Sequence, residues 1–268
     1  MGSRRAARRA LELGLHKGLE GSHRRVEHLR PRAFAKRHDE DIAMLPCTPG
    51  EPVCGDERAS NGVPFFYFYQ VVFKCIGMRL PFSRFERELL AEINVAPAQV
   101  HPNGWAFVKA FDILCGFFGH TPSFDIFLHF FEVKKQGKSL WVSLNGICGR
   151  VLLTLFQQSF KWWKGKFFKV CCSNFDPSAL DDFPLYWVKE VKHTKPKSLD
   201  ELLSTDRDAC QILASVGAFD TPTMRSLEYN AEALAKYISM ITSLIAFYSL
   251  PLLVLTLCMT YLLSLYSA

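Results

Sequence analysis

No Cys-x-x-Cys occurs among the nine cysteines to complete a zinc-finger ligand set. The usual tetrahedral zinc modules are therefore excluded. The cysteine count is odd and its spacing irregular, and Cys75 and Cys115 sit in apolar stretches where cysteine acts as a small hydrophobe. No cleavable signal peptide opens the chain. Reduced thiols facing cytosol or nucleus are the expectation. No Gly-x4-Gly-Lys-Ser/Thr phosphate loop is present, and no carboxylate trio is spaced for two metals. Met1-Gly2 suggests myristoylation, but position 6 is Ala where Ser or Thr is wanted. No cofactor and no metal is called for.

What is present is unevenly placed. The 268 residues carry a net charge of +6. Residues 1–37 hold 11 Lys/Arg against Glu12, Glu20 and Glu27, a local balance of +8 that leaves the rest at −2. The basicity belongs to one arm. Segment 1–62 is read as a basic arm and linker, with Arg4, Arg5, Arg8 and Arg9 as candidate nucleic-acid contacts. A nuclear-localisation patch, a nucleic-acid tether, an organellar presequence and a solvated tail all fit it. "LPCTPGEPVCGDERASNG" reads as the linker, ending near Gly62.

From Pro64 the texture becomes apolar and aromatic. "PFFYFYQVVFKCIGM" is too short to span a bilayer and is read as a buried helix. Ser83 and Glu86 form a capping box for the next helix, ending at Asn94. Pro97 and Pro102 break any continuous helix. Asn103 is the expected cap of a helix running to Gly119, and Thr121 that of the following one. After Lys138 the period shortens. "SLWVSLNG" predicts a strand with an Asn-Gly hairpin turn. "RVLLTLFQQSF" fits a strand or a helix and leans to strand, and "KFFKVCCS" and "PLYWVKEV" are read as strands. Lys161, Lys164, Lys166 and Lys169 interleave with Phe160, Trp162, Trp163, Phe167 and Phe168. On a hairpin this is a basic-aromatic surface able to stack bases and hold phosphates, or the lysine-decorated outer face of a half-buried sheet. Residues 192–236 are polar and helical in tone, with caps at Ser198 and Ser204.

Nothing is charged from Tyr237 to Ala268. That length exceeds the roughly 20 residues that cross a bilayer. Pro251 is central, and Tyr237, Tyr261 and Tyr266 lie near the ends. A C-terminal single-pass anchor with a cytosolic body is the expectation on these grounds.

Catalysis finds little purchase. His101 has Gln99 and Asn103 beside it, and neither activates a nucleophile. His129 and Glu132 are one helical turn apart among phenylalanines, which suits a core edge better than a base pair. "FDTP" at 219–222 resembles an aspartic-protease start, but Pro222 replaces the needed glycine. "QVHPNGW" is read as a polar turn that satisfies backbone groups. The chain is expected not to be an enzyme, with a cryptic hydrolase at His101 or His129 the weaker alternative.

The fold expected is α+β. A helical bundle from about 64 to 135 precedes a small, mostly antiparallel sheet from about 139 to 191. The domain spans 63–191, a polar helical segment 192–236, and an apolar, transmembrane-like helix 237–268.

Several motifs resemble one family. "LPF" at 80–82, "APAQVHPNGWAFVKAFDIL" at 96–114, "FLHFFEVKKQGKSLWVSLNG" at 127–146 and "FPLYWVK" at 183–189 are similar to the plant gypsy-type transposon domain, also called the gypsy-type transposase domain. The resemblance covers about Phe65 to Ile238. The family usually has Ser where this chain has Gly104, and Gly-Phe where it has Trp162-Trp163. The resemblance implies a retrotransposon-derived plant protein and carries over no catalytic residue. The chain lacks the Tyr-x-Asp-Asp of a reverse transcriptase and the His-His-Cys-Cys set of an integrase. A gag-like role, through self-association or nucleic acid, is what it implies. In relatives the helix resembling "SLEYNAEALAKYI" continues into charged sequence. The uncharged tail here is either a membrane anchor at 238–266 or the product of a translated intron or shifted frame. The expected location is a membrane if the tail is genuine, and otherwise nucleus or cytoplasm.

Overall fold

The computed structural model describes residues 42–54, 64–135, 140–154, 160, 163–172, 183–192 and 194–244. Its centre is the strand Phe65–Tyr69 (β2), whose five aromatic side chains are all buried. β2 and Ile42–Pro46 (β1) flank Phe167–Cys172 (β6), both antiparallel to it, in the order β1-β6-β2. Alternation along β2 sends Phe66 and Phe68 to one face and Phe65, Tyr67 and Tyr69 to the other. Phe68 meets Trp105 edge-on at 5.3 Å, and Phe66 stacks on Phe82 at 5.6 Å. On the opposite face Tyr69 meets Trp163 at 4.5 Å and Tyr67 meets Phe167 at 5.7 Å. Burying each such ring contributes about 1.5–3 kcal/mol.

This corrects the helical-bundle expectation for 64–78. A strand covered on both faces loses its polar alternation and becomes a continuous apolar run, which periodicity cannot separate from a buried helix. Only after β2 does the chain coil, through a π-helical turn Val72–Ile76 that Gly77 ends at φ 79°. The segment read as arm and linker, 1–62, also contributes a strand, β1. Its carboxylate Glu51 anchors to Tyr67 and Lys169 at 2.6 Å each.

The helices follow local signals more closely. Arg84–Ile93 (α1) has the Ser83–Glu86 capping box, with Asn94 closing it at φ 53°. Pro102–Phe117 (α2) is buried along most of its length and packs between β2 and the later elements. Its cap is His101 rather than Asn103, since the His101 ring nitrogen accepts the Asn103 N–H. Phe124–Phe130 (α3) is capped by Ser123 rather than Thr121. It passes directly into Phe131–Lys135 (β3), which pairs antiparallel with Val142–Gly146 (β4). Asn145 and Gly146 lie inside β4, opposite Glu132 and Phe131, and make no hairpin turn.

Leu153–Thr154 (β5) runs parallel to Phe219–Asp220 (β7). "PLYWVKEV" forms no strand. Ser204–Ser215 (α4) packs on α3, and Thr221–Ser226 (α5) packs on α2. A last helix occupies 231–244. Strands therefore both precede and follow the helices α1 to α3, and the order of a bundle followed by a sheet is overturned.

The transmembrane-like C-terminal helix is also corrected. Among the described residues no helix is long and apolar enough to cross a membrane. The uncharged run begins inside helix 231–244, where Ile238 is buried against the body and the Tyr237 hydroxyl accepts the Asp220 N–H at 3.0 Å. In its first turns Tyr237, Ile238 and Ile241 pack on the core, while Met240 and Leu244 are exposed. The rest of the run, 245–268, lies outside the described residues.

Candidate nucleic-acid interface

The turn between α1 and α2 is built around Gln99, which is fully buried. Its carbonyl accepts the Ala96 N–H at 3.1 Å and the Val188 N–H at 3.0 Å. Its amide donates to the carbonyls of Val188 at 2.7 Å and Leu140 at 3.1 Å. All four capacities are used. One glutamine thus ties three chain segments together and gives "PLYWVKEV" the backbone partners a neighbouring strand would have supplied.

His101 is likewise committed. Its backbone N–H donates to Val142 at 2.8 Å, its ring caps α2, and its edge meets Trp163 at 5.1 Å. Burial and then the Lys164 charge hold its pKa below the ordinary value. A neutral ring suits a cap that must accept an N–H. His129 does not face Glu132 across a helical turn, because α3 ends at Phe130 and Glu132 is already in β3, paired with Lys134. His129 Nδ1 lies 3.1 Å from the Lys197 carbonyl, and Arg150 donates to that carbonyl at 2.8 Å. Burial, with Arg150 adding to it, lowers the His129 pKa despite that carbonyl. Asp220 of "FDTP" caps α5 through the Thr223 N–H. No cluster of three or more metal-ligating side chains occurs among the described residues.

The lysines of the basic-aromatic run separate. Arg4, Arg5, Arg8, Arg9 and Lys161 lie outside the described residues. Lys169 points into an ion pair with Glu51 at 2.6 Å and over the Phe65 ring, so its charge is already met. Burial works to raise the Glu51 pKa, but the hydrogen bonds from Lys169, Tyr67 and Thr48 outweigh it and the pKa is lowered. Lys164 and Lys166 are exposed in the turn before β6. The ammonium of Lys164 sits 4.2 Å above the centre of the Trp141 ring. That run is not a hairpin, since β6 pairs with the distant β1 and β2.

Trp141 is the residue the basic-run pattern misses. It arrives from the start of β4, meets Trp163 at 5.3 Å and Trp187 at 5.8 Å, and donates its indole N–H to the Tyr69 hydroxyl at 3.3 Å. Trp163 is buried, whereas Trp141 and Trp187 are half-buried. The cluster draws one tryptophan from each of three chain segments, so no local motif could announce it. The signal available was partial: Trp163 stands beside Lys164 and Trp187 lies in "PLYWVK", but no lysine adjoins Trp141.

No curated protein and no solved structure matches the chain. One family model does match, and it covers α1, α2 and α3 with the last two residues of β2 and all of β3. Residues 68–135 match the model described as "Putative gypsy type transposon", the family whose motifs the chain resembles.

Proposed function

We propose that this chain is a non-enzymatic, retrotransposon-derived protein that associates with nucleic acid. The gypsy-type transposon domain at 68–135 supports the origin. The commitment of His101 and His129 to backbone groups supports a non-catalytic role. The observation that carries the nucleic-acid reading is the exposed Lys164 over the half-buried Trp141, with the exposed Lys166 two residues further on. Cations next to an aromatic face are what a phosphate backbone with accessible bases requires. The basic arm adds charge at a distance.

The test is a salt titration of DNA binding by the full chain and by a chain lacking residues 1–37. Log affinity should fall linearly with log salt, with a slope of roughly −0.7 to −0.9 per phosphate neutralised. Deleting the arm should flatten the slope. Binding that ignores salt would sink the reading.

A further inference from the structure

Trp141 and Trp187 form a half-buried aromatic pair with unusual polar fittings. The Trp141 indole N–H is already spent on Tyr69, which fixes that ring in place. The Trp187 indole N–H is buried and has no hydrogen-bond partner among the described residues. A buried donor without an acceptor calls for a ligand to supply one. Over the Trp141 ring lies the ammonium of an exposed lysine, Lys164, at 4.2 Å. Such a cation is readily exchanged: a flat ring can take its place on the indole while the ammonium moves to a neighbouring phosphate.

We infer that the Trp141–Trp187 pair, with Lys164 over Trp141 and the unpartnered Trp187 indole N–H beside it, is a stacking site for an unpaired base, so that single-stranded nucleic acid is the preferred ligand. The inference rests on the nucleic-acid reading above. The charge of Lys164 and Lys166 selects an anionic polymer. The aromatic face selects one whose bases are open, because in a duplex each base is stacked on both sides by its neighbours and has no face to offer. A turn of the half-buried Trp187 ring on binding then brings its N–H, buried in the free protein, to a carbonyl or ring nitrogen on the base edge. Lys169 takes no part, being held by Glu51.

The test uses the full chain and a fluorescein-labelled, mixed-sequence DNA of about 20 nucleotides, long enough for one groove of this class, offered single-stranded and as its duplex. The single strand should bind at least about tenfold more tightly, and its binding should quench tryptophan emission. Trp141→Ala should weaken the single strand by about tenfold and leave the duplex unchanged. Because Trp141→Ala could disturb Tyr69, Lys164→Ala serves as a second, surface variant. It should weaken both ligands and reduce the salt slope by about one phosphate. Equal binding of both forms, unchanged in Trp141→Ala, overturns the stacking site and leaves the electrostatic reading standing. No binding of either form overturns both. Displacement by polyglutamate as effective as displacement by single-stranded DNA, at equal charge, reassigns the surface to acidic protein and overturns the inference.

Discussion

Lys109 Nζ lies 2.7 Å from Glu228 Oε1, and both side chains are largely buried. Lys109 stands on α2, and Glu228 follows α5. The pair docks the C-terminal part of the chain onto the central helix, helped by Arg225, which donates to the Ile76 carbonyl at 3.1 Å. Arg79 lies 5.0 Å above the Tyr229 ring beside it. Replacing Lys109 by Met leaves Glu228 without its cation, facing Asp112. The expected cost is about 3–5 kcal/mol, read by urea denaturation. The double variant Lys109→Met with Glu228→Leu should recover much of it, since paired apolar replacements of buried ions are often neutral. A double variant no better than the single one would show that the pair's charge is not what matters.

The same region predicts a pH dependence. Glu86 is buried, and burial raises its pKa to about 7, with the Asp112 carboxylate adding to the shift. Asp112 itself is raised, again by burial first. The folded state therefore holds these protons more tightly than the unfolded chain does. Their contribution to stability is full below the ordinary carboxylate pKa and is lost as pH rises through the folded value. Stability should decline from about pH 5 to pH 7, and Glu86→Gln should flatten the decline while keeping an acceptor for the Ser83 N–H. Thermal melts across that range decide it. A decline of equal size in the variant would assign the effect elsewhere.

Gln99 offers a test of the turn. Gln99→Leu keeps the bulk but strips partners from both polar groups of Val188, from Leu140 and from Ala96. Each buried group left unmade costs about 1–3 kcal/mol, partly regained through water at the more exposed positions. A loss of about 3 kcal/mol is expected. Amide exchange at Val188 should accelerate before global unfolding, because that segment has Gln99 in place of a strand partner. Unchanged exchange there would refute the role given to Gln99.

Gly104 explains a departure from the family pattern. A Cβ at this position would meet Val100 Cγ1 at 3.0 Å and Leu144 Cγ at 3.3 Å. The absent side chain lets α2 approach β4 closely, so the serine that the resembling family carries does not fit without movement. Gly104→Ser should destabilise by about 1–3 kcal/mol. Adding Leu144→Ala should make the serine less costly than it is alone, as a measured coupling between the two sites.

What the sequence by itself determined is the set of features written within one or two turns of chain. The Ser83–Glu86 box, the breaks at Pro97 and Pro102 and the strand nature of β6 all rest on bonds or preferences between near neighbours. Tertiary structure alone decided what depends on a distant partner. "FFYFY" is a strand because β6, about a hundred residues later, pairs with it and both its faces are covered. Lys169 is neutralised because Glu51, read as linker, returns across the sheet. The tryptophan cluster exists because Gln99 holds the segment of Trp187 against the start of β4. Hydrophobic burial and ion pairing act through space with no memory of chain distance, so a pattern along the chain specifies which residues need partners and leaves the choice of partner to the fold.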